Sequence, residues 1–380
     1  MGLVLVRYGE IALKGRNRPD FIRRLRRNIR AALKFHGLEA VVTSVDRRIH
    51  VETPDPFAAL EPLRTIPGIA SCSPVSSVPP TLEAITAEAV QQAHREGLEP
   101  GRSFRIRARR ADKTFPTLSP AIERHVGTAV VEATGASVDL SDRTDVTIGI
   151  EVTRQAGLVF GSTVRGPGGL PVGIEGRVVA LLSGGLDSLV AAWMMIKRGC
   201  MVIPLHIAIH PADTPLIEKQ IAELQRYSHG WLLKPVVVPY DEAVAPLLLP
   251  LQEGRDERFT CLVCKRAMLA QAERLAQATH AHGIVMGDAL GQVASQTLRN
   301  LEAVSRGVSL PIYRPLIGMD KAEITALAAA QGLDKPQERP SAPCPYVPSH
   351  PATSAPADLF EELWSRVSQS AQSEGTPPGR

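Results

Sequence analysis

The stretch Val178-Val-Ala-Leu-Leu-Ser-Gly-Gly-Leu-Asp-Ser188 constrains this chain more than any other. An apolar run, Val179 to Leu182, leads into Ser183-Gly-Gly-Leu-Asp-Ser188, and a second, Leu189 to Ile196, follows at once. The pattern predicts a buried strand, a tight glycine turn and the start of a helix. Adjacent glycines let backbone N–H groups approach an anion closely. The helix N-terminus adds partial positive charge at the same place, and Ser183 and Ser188 add hydroxyl donors. Gly-Lys-Ser/Thr is missing, so the loop is not the common P-loop of kinases and GTPases. The competing reading is an ordinary strand-to-helix turn containing a glycine pair. The six-residue pattern behind a buried strand favours the phosphate site.

From about residue 176 strand and helix patterns alternate. Strands are expected at 178–182, 201–207, 235–238 and 284–287, and helices at 187–197, 214–228, 263–280 and 320–331. This is the pattern of a doubly wound parallel sheet, where ligands sit at the carboxyl ends of strands. Residues 183–188 occupy such a position. The N-terminal part reads differently. A strand at 3–7, a helix capped by Asp20 over 21–34 and a hairpin at 41–45 and 48–52 make one small α+β unit, 1–58. A second, 59–165, has helices at 81–96 and 119–134 and strands at 103–109, 144–152 and 157–162. A Gly/Pro-rich linker, 166–176, separates these from the α/β domain, 177–350. A tail, 351–380, is expected to be largely disordered apart from a short amphipathic helix at 359–367.

Charge is concentrated rather than diffuse. Residues 1–50 carry 12 Lys/Arg against 4 Asp/Glu, and residues 101–125 carry 7 against 2. The arginines at 23, 24, 26, 27 and 30 fall on the helix face opposite Phe21, Leu25 and Ile29. Two such segments point to a polyanion partner, although a solvated basic face has the same composition. No apolar run reaches the ~18 residues a membrane span needs, and the opening residues are unlike a signal peptide; a cytoplasmic protein is expected. The five cysteines are too few for a disulfide scaffold. Cys72 and Cys200 are expected to be buried, and His210, His280 and His282 to be surface residues.

Ser183-Gly-Gly-Leu-Asp-Ser188 resembles the pyrophosphate-binding loop of PP-loop ATP pyrophosphatases. Arg7-Tyr-Gly-Glu-Ile-Ala-Leu-Lys-Gly-Arg-Asn17 resembles the opening of tRNA 4-thiouridine synthetases, and Arg109-Arg-Ala-Asp-Lys-Thr-Phe-Pro116 resembles their THUMP segment. Gly287–Leu298, Arg314–Lys321 and Cys344–Pro351 extend the resemblance to about residues 2–352. It implies a ferredoxin-like domain, a THUMP RNA-binding domain and a PP-loop domain. The implied reaction uses ATP and Mg²⁺ to adenylate O4 of a tRNA uridine near the elbow (position 8), and sulfur then displaces AMP to give 4-thiouridine. The form without the C-terminal rhodanese domain is expected. Homodimers are common in such enzymes and are carried as an expectation.

The resemblance implies that Ser183, Gly184, Gly185 and Ser188 hold pyrophosphate and that Asp187 positions Mg²⁺ or the loop. Leu181, Leu182, His206 and Ile207 would frame adenosine. Lys265, Gly287 and Gln296 would be further nucleotide contacts, and Lys321 would stabilise the α-phosphate; Asp187, Lys321 and Cys344 carry the catalytic assignment. Lys14, Arg16, Arg23, Arg24, Arg27, Arg107, Arg109, Arg110 and Lys113 would meet RNA phosphates, which position without reading sequence.

Cys261-Leu-Val-Cys264 should open a helix, whose N-terminus lowers thiol pKa. With Cys344 these make three cysteines, a set suited to a [4Fe–4S] cluster with one open iron. Persulfide or disulfide chemistry remains an alternative, as does zinc with His350 as fourth ligand. The sulfur donor would be sulfide or a cysteine desulfurase. Two other functions stay open: sulfur transfer for thiamine thiazole synthesis, and a non-catalytic THUMP RNA-binding protein.

Overall fold

The computed structural model describes residues 1–252, 256–333 and 344–374. The chain divides into two compact units, 1–171 and 172–380.

The first unit runs β1 (Gly2–Tyr8), α1 (Arg18–Phe35), β2 (Val41–Val45), β3 (Arg48–Thr53), α2 (Leu60–Leu63), β4 (Ile69–Val78), α3 (Leu82–Arg95), β5 (Ser103–Arg110), α4 (Ser119–Thr134), β6 (Ser137–Val138), β7 (Val146–Val152), β8 (Gly157–Phe160) and β9 (Val164–Arg165). α1 starts earlier than expected. Single-turn helices at 10–13 and 15–17 lead into it, and Pro19 sits in its first turn, where a missing N–H costs nothing. Asp20 is therefore a first-turn residue, not the cap. Phe21, Leu25, Ile29, Ala32 and Leu33 are buried.

The strands form one sheet in the order β2-β3-β1-β4-β8-β7-β5-β6, with β9 also on β4. β4 was not foreseen, because Ile69-Ala-Ser-Cys-Ser-Pro-Val-Ser-Ser-Val78 has no apolar alternation. It pairs antiparallel with β1 through Leu3–Tyr8 and with β8 through Ser76–Val78. The two α+β units expected at 1–58 and 59–165 thus share a strand, and a cut at 58/59 would separate β1 from its neighbour β4.

The second unit runs β10 (Arg177–Leu181), α5 (Leu186–Lys197), β11 (Met201–Ala208), α6 (Thr214–Gln225), β12 (Val236–Pro239), α7 (Tyr240–Ala243), α8 (Ala245–Gln252), α9 (Thr260–Thr279), β13 (Ile284–Val285), α10 (Leu298–Ser305), β14 (Ile312–Tyr313), α11 (Lys321–Ala330) and α12 (Ala357–Glu374). Its sheet is all parallel, order β12-β11-β10-β13-β14. One core packs α5, α6 and α11 on one face, and a second packs α7, α8, α9, α10 and α12 on the other. The alternation expected from the sequence is therefore a doubly wound sheet.

The tail is the main correction. Residues 357–374 form a helix that buries Phe360, Leu363 and Val367 in the second core. Three such side chains contribute about 1.5–3 kcal/mol each by burial, enough to order a polar-looking segment. Residues 375–380, also expected to be disordered, lie outside the described residues. No helix among the described residues is long and apolar enough to cross a membrane.

Candidate active site

β10 delivers Leu181 and Leu182 to the carboxyl edge of the sheet, and Ser183–Gly185 turns the chain into α5. Gly184 has φ +79°, and a Cβ there would meet Leu216 at 2.9 Å. The positive φ is what favours glycine here; the Leu216 methyl could turn aside. Ser188 Oγ, in the first turn of α5, donates to Gly185 O (2.9 Å) and accepts from Ser183 N (3.2 Å). Gln220 of α6 donates to Gly184 O at 2.7 Å. The loop's carbonyls are thus tied down from behind, and two of its N–H groups are engaged internally, Ser183 N by Ser188 Oγ and Gly185 N by Ser183 Oγ (3.4 Å); the N–H groups of the first turn of α5 have no intrahelical partner and can meet a ligand.

The parallel ladder sets Leu181 beside Leu205, so His206 and Ile207 lie at the next strand's end. His206 is buried, and its Nδ1 donates to Leu182 O at 2.8 Å. Its Nε2 is then an acceptor, buried and with no partner among the described residues; Gln296 Oε1 is another.

Asp187, in the first turn of α5, accepts from Lys321 Nζ at 2.5 Å and from Gln292 at 3.1 Å. Lys321 is the first residue of α11, whose start is fixed by a capping box between Asp320 and Glu323. The cap therefore aims a lysine that lies 134 positions from Asp187 in sequence. Gly287 lies against the same turn; a Cβ would come within 2.7 Å of Ser188 N and 2.8 Å of Asp187 C.

Asp288 was not singled out from the sequence. It is buried and accepts from Lys265 (2.8 Å), Gln296 (3.3 Å) and Arg314 (3.0 Å). Its signal lay inside matched segments, Gly287–Leu298 and Arg314–Lys321, but nothing local marks an aspartate that gathers partners from α9 and the end of β14.

Cys261 and Cys264 lie in the first turns of α9, as expected. The expected low thiol pKa does not follow, because burial outweighs the helix terminus. Burial pushes the Cys264 thiol up to about 11 and raises Cys261, with nearby Cys344 raising both further. Tyr240 Oη donates to Cys264 Sγ (3.5 Å), and its ring stacks on Tyr346, two residues after Cys344. Among the described residues no three His, Cys, Asp or Glu side chains meet as a ready metal site, neither the three cysteines by themselves nor a set that includes His350. Cys344 lies near enough to Cys261 and Cys264 to raise both thiols, and cysteine thiolates are the donors an iron–sulfur cluster takes. Cys72 and Cys200 are buried, their thiols pushed up by desolvation to about 12 and about 11.

In the first unit Arg16, Arg27, Arg107 and Lys113 are exposed. Arg23 pairs with Asp20 (3.0 Å), Lys14 lies over the Phe21 ring and Arg110 donates to Phe115 O. Arg24 is half-buried. Arg109 is partly exposed but shares the buried Glu151 with Arg7 and Arg48. That cluster joins β1, β3, β5 and β7, and its arginines outnumber its carboxylate. Arg7 and Arg48 were absent from the expected set because their role depends on strand register.

Three family models match in chain order: the ThiI ferredoxin-like domain at 3–73, the THUMP domain at 80–160 and Thiamine biosynthesis protein (ThiI) at 173–368. The chain belongs to the ThiI family. Its relatives include a probable tRNA sulfurtransferase of Thermococcus kodakarensis, 38% identical over 96% of this chain and 97% of that one. One of Methanocaldococcus jannaschii is 36% identical over the same shares. Among solved structures, a 4-thiouridine synthetase–RNA complex with bound ATP matches with TM-score 0.83 and 28% identity, over 98% of this chain and 97% of that one. A Pyrococcus horikoshii protein matches with TM-score 0.71 and 29% identity, over 88% and 100%.

Proposed function

We propose that this family member is an ATP-dependent tRNA sulfurtransferase that adenylates O4 of a tRNA uridine and replaces that oxygen with sulfur. The observation that carries the reading is the convergence of Asp187, Lys321 and the tied-down Ser183–Ser188 loop at the carboxyl edge of a parallel sheet. The 4-thiouridine synthetase that shares the fold over nearly its whole length was solved with RNA and ATP.

In this reading the first-turn N–H groups of α5 and the Ser183 hydroxyl hold the β- and γ-phosphates. Uridine O4 attacks the α-phosphorus, the bond to the bridging oxygen breaks, pyrophosphate leaves and the N3 proton is lost. Lys321, released from Asp187 as the nucleotide enters, neutralises charge on the α-phosphate. Asp187 is then free to hold Mg²⁺; the oxygens of Asp288 are already taken. The buried acceptors His206 Nε2 and Gln296 Oε1 suit a ligand that brings donors, as the adenine amino group does.

Sulfur then adds at C4 and AMP departs. Cys261, Cys264 and Cys344 would hold a [4Fe–4S] cluster, which would supply an open iron position for inorganic sulfur. Sulfide supplies the sulfur directly, or a cysteine desulfurase supplies it as a persulfide whose outer sulfur is brought to the sulfide level by a thiol reductant, in the cytoplasm. The exposed arginines of α1 and β5 give the phosphate contacts of a shape-recognising RNA interface. That basic unit favours tRNA over sulfur transfer for thiamine thiazole synthesis, which has no use for it.

The test is anaerobic. The chain is mixed with unmodified tRNA, ATP, Mg²⁺ and sulfide, and 4-thiouridine absorbance, AMP and pyrophosphate are followed. Cys344→Ala is expected to abolish 4-thiouridine and spare pyrophosphate release. No thiolated tRNA from the wild-type chain, with either sulfide or a desulfurase, would overturn the reading.

A further inference from the structure

Asp288 binds three partners from three different segments: Lys265 of α9, Gln296 of the following loop and Arg314 at the end of β14. Its side chain is 4% exposed, that of Lys265 13% and that of Arg314 15%. Charges this buried need compensation. Asp288 is the carboxylate that both cations meet, and Arg314 also donates to the neutral Ser305 Oγ at 2.8 Å. One negative and two positive charges leave the trio with one positive charge in excess. Its place is equally defined, because Gly287, the residue before Asp288, packs directly on the first turn of α5.

A buried excess of positive charge beside a glycine loop is the complement of an anion. We propose that Asp288 is a positioning residue for the activation step: it clamps Lys265 and Arg314 as a fixed pair of cations, and a phosphate of the nucleotide completes the trio. The inference rests on the adenylation reading. Two cations alone would repel and swing toward solvent; a shared carboxylate holds them in place before substrate arrives, so that nothing need reorganise as charge builds on the departing pyrophosphate.

Positioning and simple charge predict opposite signs. If only charge counted, Asp288→Asn would remove a negative group from beside a polyphosphate, tighten ATP and leave turnover intact. Positioning predicts that Asp288→Asn lowers kcat for tRNA-dependent pyrophosphate release by about tenfold or more, with the KM for ATP no more than about twofold higher. Lys265→Gln should also be slow, and the double variant should be no slower than the slower single one, because both changes break the same contact.

Arg314→Gln, which leaves the Asp288–Lys265 pair in place, serves if Asp288→Asn fails to fold, with the same expected fall in kcat. A kcat loss under about fivefold, a loss expressed wholly in KM, or multiplying effects in the double variant would each overturn the proposal. If the wild-type chain itself releases no pyrophosphate with tRNA, the adenylation reading fails instead.

Discussion

Gly287→Ala isolates the contact on which the loop's position depends. An added Cβ would lie 2.7 Å from Ser188 N where ordinary contact begins near 3.4 Å, a deficit of 0.7 Å. The atoms it meets belong to the backbone of Asp187 and Ser188, so no side chain can rotate away. Either the end of β13 or the first turn of α5 must move. Overpacking of this kind costs about 1–3 kcal/mol, which for a unit of this size lowers Tm by about 2–12 °C. The kinetic effect should be larger in proportion, since a misplacement near 1 Å at a reacting centre costs ~10²-fold. Calorimetry and tRNA-dependent pyrophosphate release measure the two. Gly318→Ala is the control, because a methyl there meets nothing within 4 Å, and it should leave both unchanged. A Gly287→Ala protein with wild-type Tm and turnover within about threefold would refute the packing argument.

Other outcomes follow from separate parts of the molecule. Deleting residues 357–380 exposes the core face that covers Phe360, Leu363 and Val367; the shortened chain should lose several kcal/mol or fail to fold, and unchanged denaturant unfolding would show the helix to be dispensable. The thiols of Cys72, Cys200 and Cys264 are raised by burial to about 12, 11 and 11. The unfolded chain therefore ionises them first, so their contribution to stability is intact below the ordinary cysteine range and is lost as pH rises through 9 to 12. Denaturant midpoints across that range, compared with a Cys200→Ala variant, measure it; the variant should show a smaller alkaline loss. Arg27→Ala and Arg107→Ala, both at exposed positions, should weaken binding of different tRNAs alike and each reduce the salt slope of log K by about 1. An unchanged slope would remove those side chains from the RNA interface.

Residues close together in the chain were legible from the sequence. The apolar run before Ser183 and the one after Ser188 dictate strand, turn and helix by periodicity alone, and strand–helix alternation beyond residue 176 dictates a parallel sheet. The arginine face of α1 and the Cys261/Cys264 pair at a helix start could be read in the same way. Partners distant in the chain were not legible. β4 lacks an apolar pattern and is a strand because β1 and β8 hold it. Residues 357–374 are ordered because a core surface was waiting for three of their side chains. Lys321 reaches Asp187 across 134 positions, and Asp288 collects Lys265 and Arg314 from either side. The thiol pKa shows the same division: local sequence predicts a helix terminus that lowers it, while tertiary burial raises it, because desolvation depends on every neighbour the fold brings near. Periodicity is a property of adjacent residues, whereas burial, register and charge balance are sums over residues that only folding brings together.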